Sequence, residues 1–137
     1  GGIEMINIVV ISHGLLAQEL LRSASIIAGD AEGVYSLGLQ SGDTPEDFGQ
    51  KLDELLQKNI GEETLILIDI LSGTPYNLAA QKLVQPGIEC ITGVNLAMLL
   101  EAILGRSGAK SVQELAAHIT EIAPETIKNL RPLLKRL

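Results

Sequence analysis

Hydrophobic residues fall into four short runs along the chain, separated by segments with helical spacing. The runs are Ile6–Ile11, Val34–Leu39, Thr64–Ile70 and Ile88–Thr92. The first and third contain few polar residues, which is the pattern of central parallel strands covered on both faces. Because strands and helices alternate, the pattern predicts a doubly wound, mainly parallel α/β sheet. We expect the strand order 2-1-3-4.

The helical segments between the runs have ends that can be recognised from residue type. The first is predicted to end at Gly29-Asp30, and its apolar face is formed by Leu16, Leu20, Ala24 and Ile27. In the second, Thr44 is the N-cap, Pro45 is the first helical residue, and Gly61 follows the end. The expected buried face of this second helix consists of Phe48, Leu52, Leu55 and Leu56.

The later helices start with the same signals. Thr74 is predicted to cap the third helix, with Pro75 in its first position. Asn95 is predicted to cap the fourth helix, and Ser111 forms a capping box with Glu114 at the start of the fifth. All of these helix starts follow a strand or a loop, as alternating α/β topology requires.

Length and composition fit one packed domain. The chain has 137 residues, of which 46% are hydrophobic and 20% charged. These values are typical of a globular domain and exclude a disordered chain. We expect residues 5–137 to form a single domain, and residues 1–4, ahead of Met5, to be a cloning remnant outside it.

Charge and cysteine content exclude several classes of function. The net charge of -7 argues against binding the phosphate backbone of a nucleic acid, which requires a basic surface. Cys90 is the single cysteine, so no internal disulfide can form. The apolar runs are too short to span a bilayer. With no secretory leader visible, we expect a cytoplasmic protein that does not insert into membranes.

Ligands bind doubly wound sheets at the carboxyl ends of the strands, so the residues after each strand are the candidate chemistry. His13 follows the first strand and precedes a helix, whose unpaired N–H groups disfavour an imidazolium and favour an anion. A neutral imidazole is a nucleophile, which makes covalent chemistry at a ring nitrogen plausible. The alternative is a histidine that only caps or packs at the helix start.

Asp69 closes the third strand and is the natural partner of His13. In the order 2-1-3-4 the first and third strands are neighbours, so the two side chains are expected to face each other. A carboxylate that accepts a hydrogen bond from one ring N–H fixes the tautomer and leaves the other nitrogen free. Alone, Asp69 is equally explained as a solvated aspartate at a strand end.

The loop formed by Ser72, Gly73 and Thr74 leads into the third helix. Small residues at a helix N-terminus present backbone N–H groups and hydroxyls to an anion. Ordinary turn and cap chemistry explains the same residues without a ligand. For "TGVN" at 92–95, a turn at Gly93 and a cap at Asn95 are the preferred explanation.

The remaining candidates are better explained by packing. His118 lies beside the apolar face of the fifth helix without a second ligand at metal spacing, and Cys90 is expected to be a core thiol. The sequence contains no Gly-rich dinucleotide motif, phosphate-binding GK[ST] motif or nucleophile elbow. We expect neither a cofactor nor a metal.

Three blocks resemble the mannose-family EIIA domain of the bacterial phosphotransferase system. They are "INIVVISHGLLAQELLRSASIIAG", "LILIDILSGTPYNLAA" and "ITGVNLAMLLEAI", in the expected order and spacing. The similarity extends from Met5 to the C-terminal tail. The resemblance implies a flavodoxin-like sheet and a phosphoryl carrier of sugar uptake.

The resemblance also implies a role for each matched residue. In this family the histidine matched by His13 accepts a phosphoryl group on Nε2 from the histidine-containing phosphocarrier protein, and the aspartate matched by Asp69 holds Nδ1–H. The group then passes to a histidine of a IIB partner, which phosphorylates sugar at the IIC/IID permease. The expected phosphoryl-binding residues are Gly14, Ser72, Gly73 and Thr74.

The family is also dimeric, with a C-terminal strand exchanged between subunits. The tail "APETIKNLRPLLKRL" is by itself ambiguous between a strand and a helix, and the resemblance places the exchanged strand at "TIKNL", residues 126–130. Many relatives carry Gly-Gly where this chain has Ser72-Gly73. A left-handed backbone at Ser72 would cost about 1 kcal/mol or more; alternatively, its hydroxyl adds a phosphate contact.

Two other functions stay open at this stage. One is the related phosphotransfer domain that serves dihydroxyacetone kinase, although the glycine of "SHG" favours the sugar system. The other is a regulatory interaction module that keeps the fold and reports phosphorylation. Retention of both His13 and Asp69 argues against an inactive module. The sugar is not determined, because it never contacts this domain.

Overall fold

In the computed structural model, which describes residues 5–58 and 62–134, the strands and helices alternate as predicted. The strands are β1 (Asn7–His13), β2 (Val34–Leu39), β3 (Thr64–Ile68) and β4 (Ile88–Thr92). The helices are α1 (Leu16–Ala28), α2 (Pro45–Lys58), α3 (Gly73–Gln81), α4 (Leu96–Gly105), α5 (Val112–Ile122) and α6 (Leu130–Leu133).

The four strands form one parallel sheet in the order β2-β1-β3-β4. This confirms the predicted fold class and strand order. Every residue of β3 is buried, and so is all of β1 except His13, because helices cover both faces of the two central strands. In the pairing of β1 with β3, Ile11 lies opposite Ile68, so the two strands end side by side.

The alternating side chains of the sheet build two separate cores. On one face, side chains of β1 and β3 pack against α1, α4 and α5; this core includes Ile8, Val10, Leu65, Leu67, Leu99, Leu115 and Ile119. On the other face they pack against α2 and α3; this core includes Val9, Ile11, Phe48, Leu52, Ile66, Ile68 and Ala79. The predicted face of α2 is therefore confirmed.

Three of the predicted helix caps are present. The Thr44 hydroxyl accepts a hydrogen bond from the Asp47 N–H at 3.1 Å, and Pro45 is the first residue of α2. Asn95 accepts from the Met98 N–H at 3.0 Å and caps α4. The Ser111 hydroxyl accepts from the N–H three residues later at 3.1 Å and caps α5. Each cap satisfies a backbone N–H that has no partner within the helix.

The predicted cap of α3 and part of the predicted face of α1 are wrong, whereas Gly29 follows the end of α1 and Leu20 packs against the core as predicted. Helix α3 begins at Gly73 with Ser72 as its N-cap, so Thr74 is not the cap. On α1 the buried positions are Ala17 and Ala24, while Leu16 and Ile27 are exposed. Small residues on this face let α1 lie close to the sheet, which spacing of large apolar residues cannot reveal. Gly61, the predicted residue after α2, lies outside the described residues, as do residues 1–4.

The C-terminal segment has no strand in the described part of the single chain. A 3-10 turn covers Ala123–Thr126 and is followed by α6, whereas "TIKNL" was predicted to be a strand. Ile127 and Asn129 have extended backbone angles but pair with no described strand. A strand requires a neighbour that supplies its hydrogen bonds, and the chain by itself does not place one there.

The helix lengths and the environment of Cys90 agree with the sequence-based predictions. Among the described residues, none of the helices combines the length and the apolar character needed to span a membrane. Cys90 packs toward α3, with its thiol donating to the Ala79 carbonyl at 3.6 Å. Burial raises the pKa of this thiol to about 11, so it stays protonated, as expected for a core cysteine.

The two faces of α4 provide a test of this packing. Leu99 is fully buried, whereas Leu104 on the same helix is 65% exposed. We expect Leu99→Ala to lower the free energy of unfolding by about 2–5 kcal/mol, because it leaves a cavity in the core. The matched Leu104→Ala variant should change it by less than about 0.5 kcal/mol. Urea denaturation measures both values, and equal losses would contradict this orientation of α4.

Candidate functional site

The ends of β1 and β3 bring His13 and Asp69 together at the centre of the sheet. His13 is the last residue of β1, and Asp69 directly follows β3. The chain continues the β1–β3 pairing for one more residue, since the Asp69 N–H donates to the Ile11 carbonyl at 3.2 Å. The predicted juxtaposition of the two side chains is therefore present.

A single carboxylate oxygen of Asp69 holds both the backbone and the ring of His13. Asp69 Oδ2 accepts from the His13 backbone N–H at 2.9 Å and lies 2.8 Å from His13 Nδ1. The second oxygen, Oδ1, accepts from the Ile70 N–H at 2.9 Å. The Asp69 side chain is only 7% exposed, while that of His13 is 45% exposed. The aspartate is therefore the fixed member of the pair, and the imidazole is the accessible one.

The hydrogen bonds determine the charge of Asp69. Burial by itself raises the pKa of this carboxyl, but hydrogen bonds from the backbone and ring of His13 and from the Ile70 N–H outweigh it. The net result is a pKa below the usual value for an aspartate. The ionised carboxylate favours a proton on Nδ1, which leaves the lone pair of Nε2 free for attack.

The free nitrogen lies against the first residue of α3. A Cβ placed on Gly73 would be 3.0 Å from His13 Nε2, and Gly73 has a φ of +87°. Both the close approach and the backbone angle require glycine. The sequence predicted that the N-terminus of α1 would adjoin the imidazole, but that helix starts only at Leu16. The helix N-terminus beside the reactive nitrogen is instead that of α3.

The structure answers the question of strain at Ser72. Its φ of -173° is extended backbone, and the left-handed position is occupied by Gly73. Ser72 therefore occupies this position without backbone strain. Its hydroxyl is exposed and makes no capping hydrogen bond to α3, which leaves it available to an anion. Thr74 follows inside the first turn of the helix and is half-buried.

Gly14 differs from the other predicted phosphoryl-binding residues. Its N–H donates to the Leu39 carbonyl of β2 at 2.8 Å, so this amide already has a partner. With a φ of +59°, Gly14 forms the turn out of β1 instead. Its carbonyl passes so close to β2 that a Cβ on Gly38 would lie 2.0 Å away. Sequence analysis missed Gly38, although a glycine inside an apolar strand run marks such a close approach.

Exposed aliphatic side chains occupy the segments that directly follow His13 and Asp69 in the chain. This apolar rim consists of Leu15, Leu16, Ile70 and Leu71. The junctions at residues 12–16, 69–75 and 92–96 contain no lysine or arginine. Exposed apolar side chains around a reactive group are typical of a protein-docking surface.

The remaining candidates do not join the site. Asn95 serves as the cap of α4, which is the structural explanation preferred for "TGVN". His118 is exposed on α5 and has no described hydrogen bond or ion pair to His13 or Asp69. Across residues 5–58 and 62–134, histidine, cysteine and carboxylate side chains form no group of three suited to a metal ion.

The parallel sheet and the histidine–aspartate pair at its central strand ends define a flavodoxin-like domain with an exposed imidazole at the carboxyl edge of its sheet. The family model described as "PTS system fructose IIA component" matches residues 7–120. The chain therefore belongs to the sugar-specific IIA components of the bacterial phosphotransferase system. Among solved structures, the phosphotransferase system component EIIA from Streptococcus agalactiae superposes with a TM-score of 0.86 at 30% identity, covering 93% of this chain and 99% of that one.

Curated relatives come from several sugar systems. The "PTS system mannose-specific EIIAB component" of Escherichia coli (strain K12) is 33% identical over 128 residues, which cover 92% of this chain and 40% of that protein. The chain thus spans about two-fifths of that relative. The "PTS system sorbose-specific EIIA component" of Klebsiella pneumoniae is 28% identical over 122 residues, 88% of this chain and 89% of that protein.

The lowered pKa of Asp69 gives a prediction for acid stability. An ionised carboxylate held by native hydrogen bonds stabilises the fold above its unfolded pKa of about 3.9. This contribution is lost as the pH falls through the lower pKa of the folded state. Between about pH 5 and pH 2, the parent should therefore lose more stability than Asp69→Asn, which cannot ionise. Urea denaturation across this range measures the difference, and parallel curves would contradict the inferred stabilisation.

The contact between Gly73 and the imidazole gives a second prediction. Gly73→Ala should slow modification of His13 by diethyl pyrocarbonate, because the new methyl group covers Nε2. The strain at positive φ should also cost roughly 1–2 kcal/mol of stability. Gly93→Ala is the matched control, since Gly93 has a φ of +82° but open space around it.

Peptide mass analysis reads the modification of His13 and uses His118 as an internal reference. The control variant should show the same loss of stability with unchanged reactivity of His13. If both glycine variants left His13 equally reactive, the close approach at Gly73 would be refuted.

Proposed function

We propose that this chain is a phosphoryl carrier of a bacterial sugar phosphotransferase system. His13 accepts a phosphoryl group from the phosphohistidine of the histidine-containing phosphocarrier protein and passes it to a histidine of a IIB component. The sugar is then phosphorylated at the IIC/IID permease. The observation that carries this proposal is the 2.8 Å contact between Asp69 Oδ2 and His13 Nδ1, which leaves Nε2 as the accessible nucleophile.

The proposed transfer is an in-line exchange of one P–N bond for another. The lone pair of His13 Nε2 forms the new P–N bond while the bond to the donor imidazole breaks, and its electron pair returns to that ring. His13 keeps its proton on Nδ1, so the ring gains positive charge as the bond forms. The adjacent Asp69 carboxylate stabilises this charge. No metal or cofactor takes part in the proposed step.

The phosphoryl oxygens would be bound at the start of α3. This site combines the hydroxyls of Ser72 and Thr74 with backbone N–H groups at Gly73 and Thr74. The helix N-terminus favours the negative charge of the phosphoryl group. Gly14 contributes only the turn that positions His13, since its own N–H is bonded to β2.

The surroundings of His13 favour a protein donor over a free phosphorylated metabolite. The apolar rim offers contact area to a folded partner, while the lack of lysine and arginine in the adjacent junctions gives a free anion little attraction. A partner with a basic docking face would be attracted by the net charge of -7. We place the protein in the cytoplasm, where such a donor and the IIB component act.

We also propose that the functional unit is a homodimer with an exchanged C-terminal strand. Ile127 and Leu130 are 75% and 59% exposed in the single chain. The backbone between the 3-10 turn and α6 is already extended at Ile127 and Asn129. Pairing of this segment with the sheet of a partner subunit would cover these side chains and supply the missing hydrogen bonds.

The phosphorylation of His13 can be tested directly. The parent, His13→Ala and His118→Ala are incubated with phosphoenolpyruvate, enzyme I and the phosphocarrier protein, and followed by intact mass at neutral and acid pH. We expect one acid-labile phosphoryl group per chain in the parent and in His118→Ala, and none in His13→Ala. His118→Ala is the matched control because it removes the other histidine.

The absence of label on the parent, with donors from the same organism shown to be active, would overturn the carrier proposal. That outcome would favour a regulatory interaction module on the same fold. Label that persists in His13→Ala would instead assign the chemistry to another residue.

A further inference from the structure

We propose that Ser12 is a positioning residue for the phosphoryl chemistry of His13, acting through the loop that carries the histidine. This inference rests on the proposed function and deepens it. Ser12 is fully buried as the penultimate residue of β1, directly after the apolar residues Ile8–Ile11, and its hydroxyl is the feature that needs explanation.

The Ser12 hydroxyl reaches forward to the start of α1. Its Oγ accepts a hydrogen bond from the Ala17 N–H at 2.8 Å, and both residues are fully buried. The N-cap residue of α1, Leu15, has no side chain able to cap and makes no side-chain cap hydrogen bond. The strand therefore supplies the cap that the helix lacks, and the hydrogen bond closes a short loop over residues 13–15.

Three hydrogen bonds together fix this loop on three different parts of the fold. The His13 N–H donates to Asp69 after β3 at 2.9 Å, and the Gly14 N–H donates to Leu39 of β2 at 2.8 Å. The hydrogen bond between Ala17 and Ser12 ties the far end of the loop back to β1. Together they orient the backbone from which the imidazole projects, so they determine where Nε2 lies relative to Gly73.

Removal of the hydroxyl has a consequence beyond the loss of a cap. With Ser12→Ala, the Ala17 N–H would stay buried without a hydrogen-bond partner, which is unfavourable. We expect residues 13–17 to shift so that this N–H can bond to water. The loop between its two ends contains the nucleophile. A displacement of about an ångström at a reacting group can slow a reaction by about 100-fold.

The alternative is that Ser12 only stabilises α1. The chain offers a matched control, because the Ser111 hydroxyl caps α5 through a similar bond of 3.1 Å. Both Ser12→Ala and Ser111→Ala remove one cap and should lower the urea midpoint, Ser12→Ala by the larger shift, because the Ala17 N–H is buried whereas Glu114 is exposed. Ser111 precedes α5 at the edge of the sheet opposite His13, since the adjacent Val112 N–H donates to Glu63 just before β3 begins. A transfer defect specific to Ser12→Ala therefore separates positioning from stability.

The test compares the parent, Ser12→Ala, Ser12→Thr and Ser111→Ala, each at a temperature where it is fully folded. The rate of phosphoryl transfer from the phosphocarrier protein is measured by intact mass. The ¹⁵N chemical shifts of the His13 ring report its tautomer, with His118 as the internal reference.

We expect Ser12→Ala to transfer at least about tenfold more slowly and to lose the fixed Nδ1–H tautomer. Ser12→Thr, which keeps the hydroxyl, should recover most of the rate, and Ser111→Ala should match the parent.

Two outcomes would overturn the proposal. In one, Ser12→Ala transfers at the parental rate with an unchanged tautomer. In the other, Ser111→Ala slows transfer as much as Ser12→Ala does, which would reduce Ser12 to a stabilising cap. Failure of the proposed function is distinguishable from both, because the parent itself would then carry no phosphoryl group on His13.

Discussion

The site depends on one carboxylate oxygen, Asp69 Oδ2, which accepts hydrogen bonds from both the backbone and the ring of His13. A nearly buried aspartate is unfavourable unless its charge is balanced by donors, and here the donors come from the residue it controls and from Ile70. The pair is thus mutually stabilising. Asp69 stays ionised because His13 is there, and His13 keeps one tautomer because Asp69 is ionised.

The sheet makes this interaction possible. Pairing of Ile11 with Ile68 brings the ends of β1 and β3 level, so the next residues of each strand can meet. A shift of one residue in this register would turn one of the two side chains to the opposite face of the sheet. The buried cores on both faces oppose such a shift, because each strand would exchange its side chains between two different environments. The packing of the domain therefore preserves the geometry of the pair.

Close to His13, two glycines allow backbone atoms to approach where a side chain would not fit. Gly73 allows the first turn of α3 to approach Nε2, and Gly38 allows the turn at Gly14 to pass over β2. The result is a site whose polar groups are backbone amides, hydroxyls and one carboxylate, set among exposed aliphatic side chains. Under the proposed function, the imidazole would hold a phosphoryl group covalently and the apolar rim would face the partner protein. These two properties agree with membership of the phosphotransferase IIA family.

Features that arise over a few neighbouring residues could be predicted from residue type and spacing. Apolar runs and helical spacing identified the four strands and the helices between them, and Thr44, Asn95 and Ser111 marked three helix starts, because a cap bonds to an N–H only two or three residues away. The cap of the third helix was predicted at Thr74 but is Ser72. A Thr-Pro pair fits the cap and first position of a helix, and it also fits the first turn, so residue type alone does not distinguish the two. Local patterns did not predict that Leu16 and Ile27 are exposed or that the described tail forms no strand. Both features depend on what lies beside these residues in space.

The distances on which chemistry depends arise from long-range packing and could not be predicted from local patterns. His13 and Asp69 are 56 residues apart, and their 2.8 Å contact exists because the register of two parallel strands places them side by side. The same holds for Gly73, where an added Cβ would lie 3.0 Å from Nε2, and for the Gly14 N–H, which bonds to β2. Residue type along the chain indicates which groups can react. Their mutual geometry follows from long-range packing, which local sequence patterns do not record.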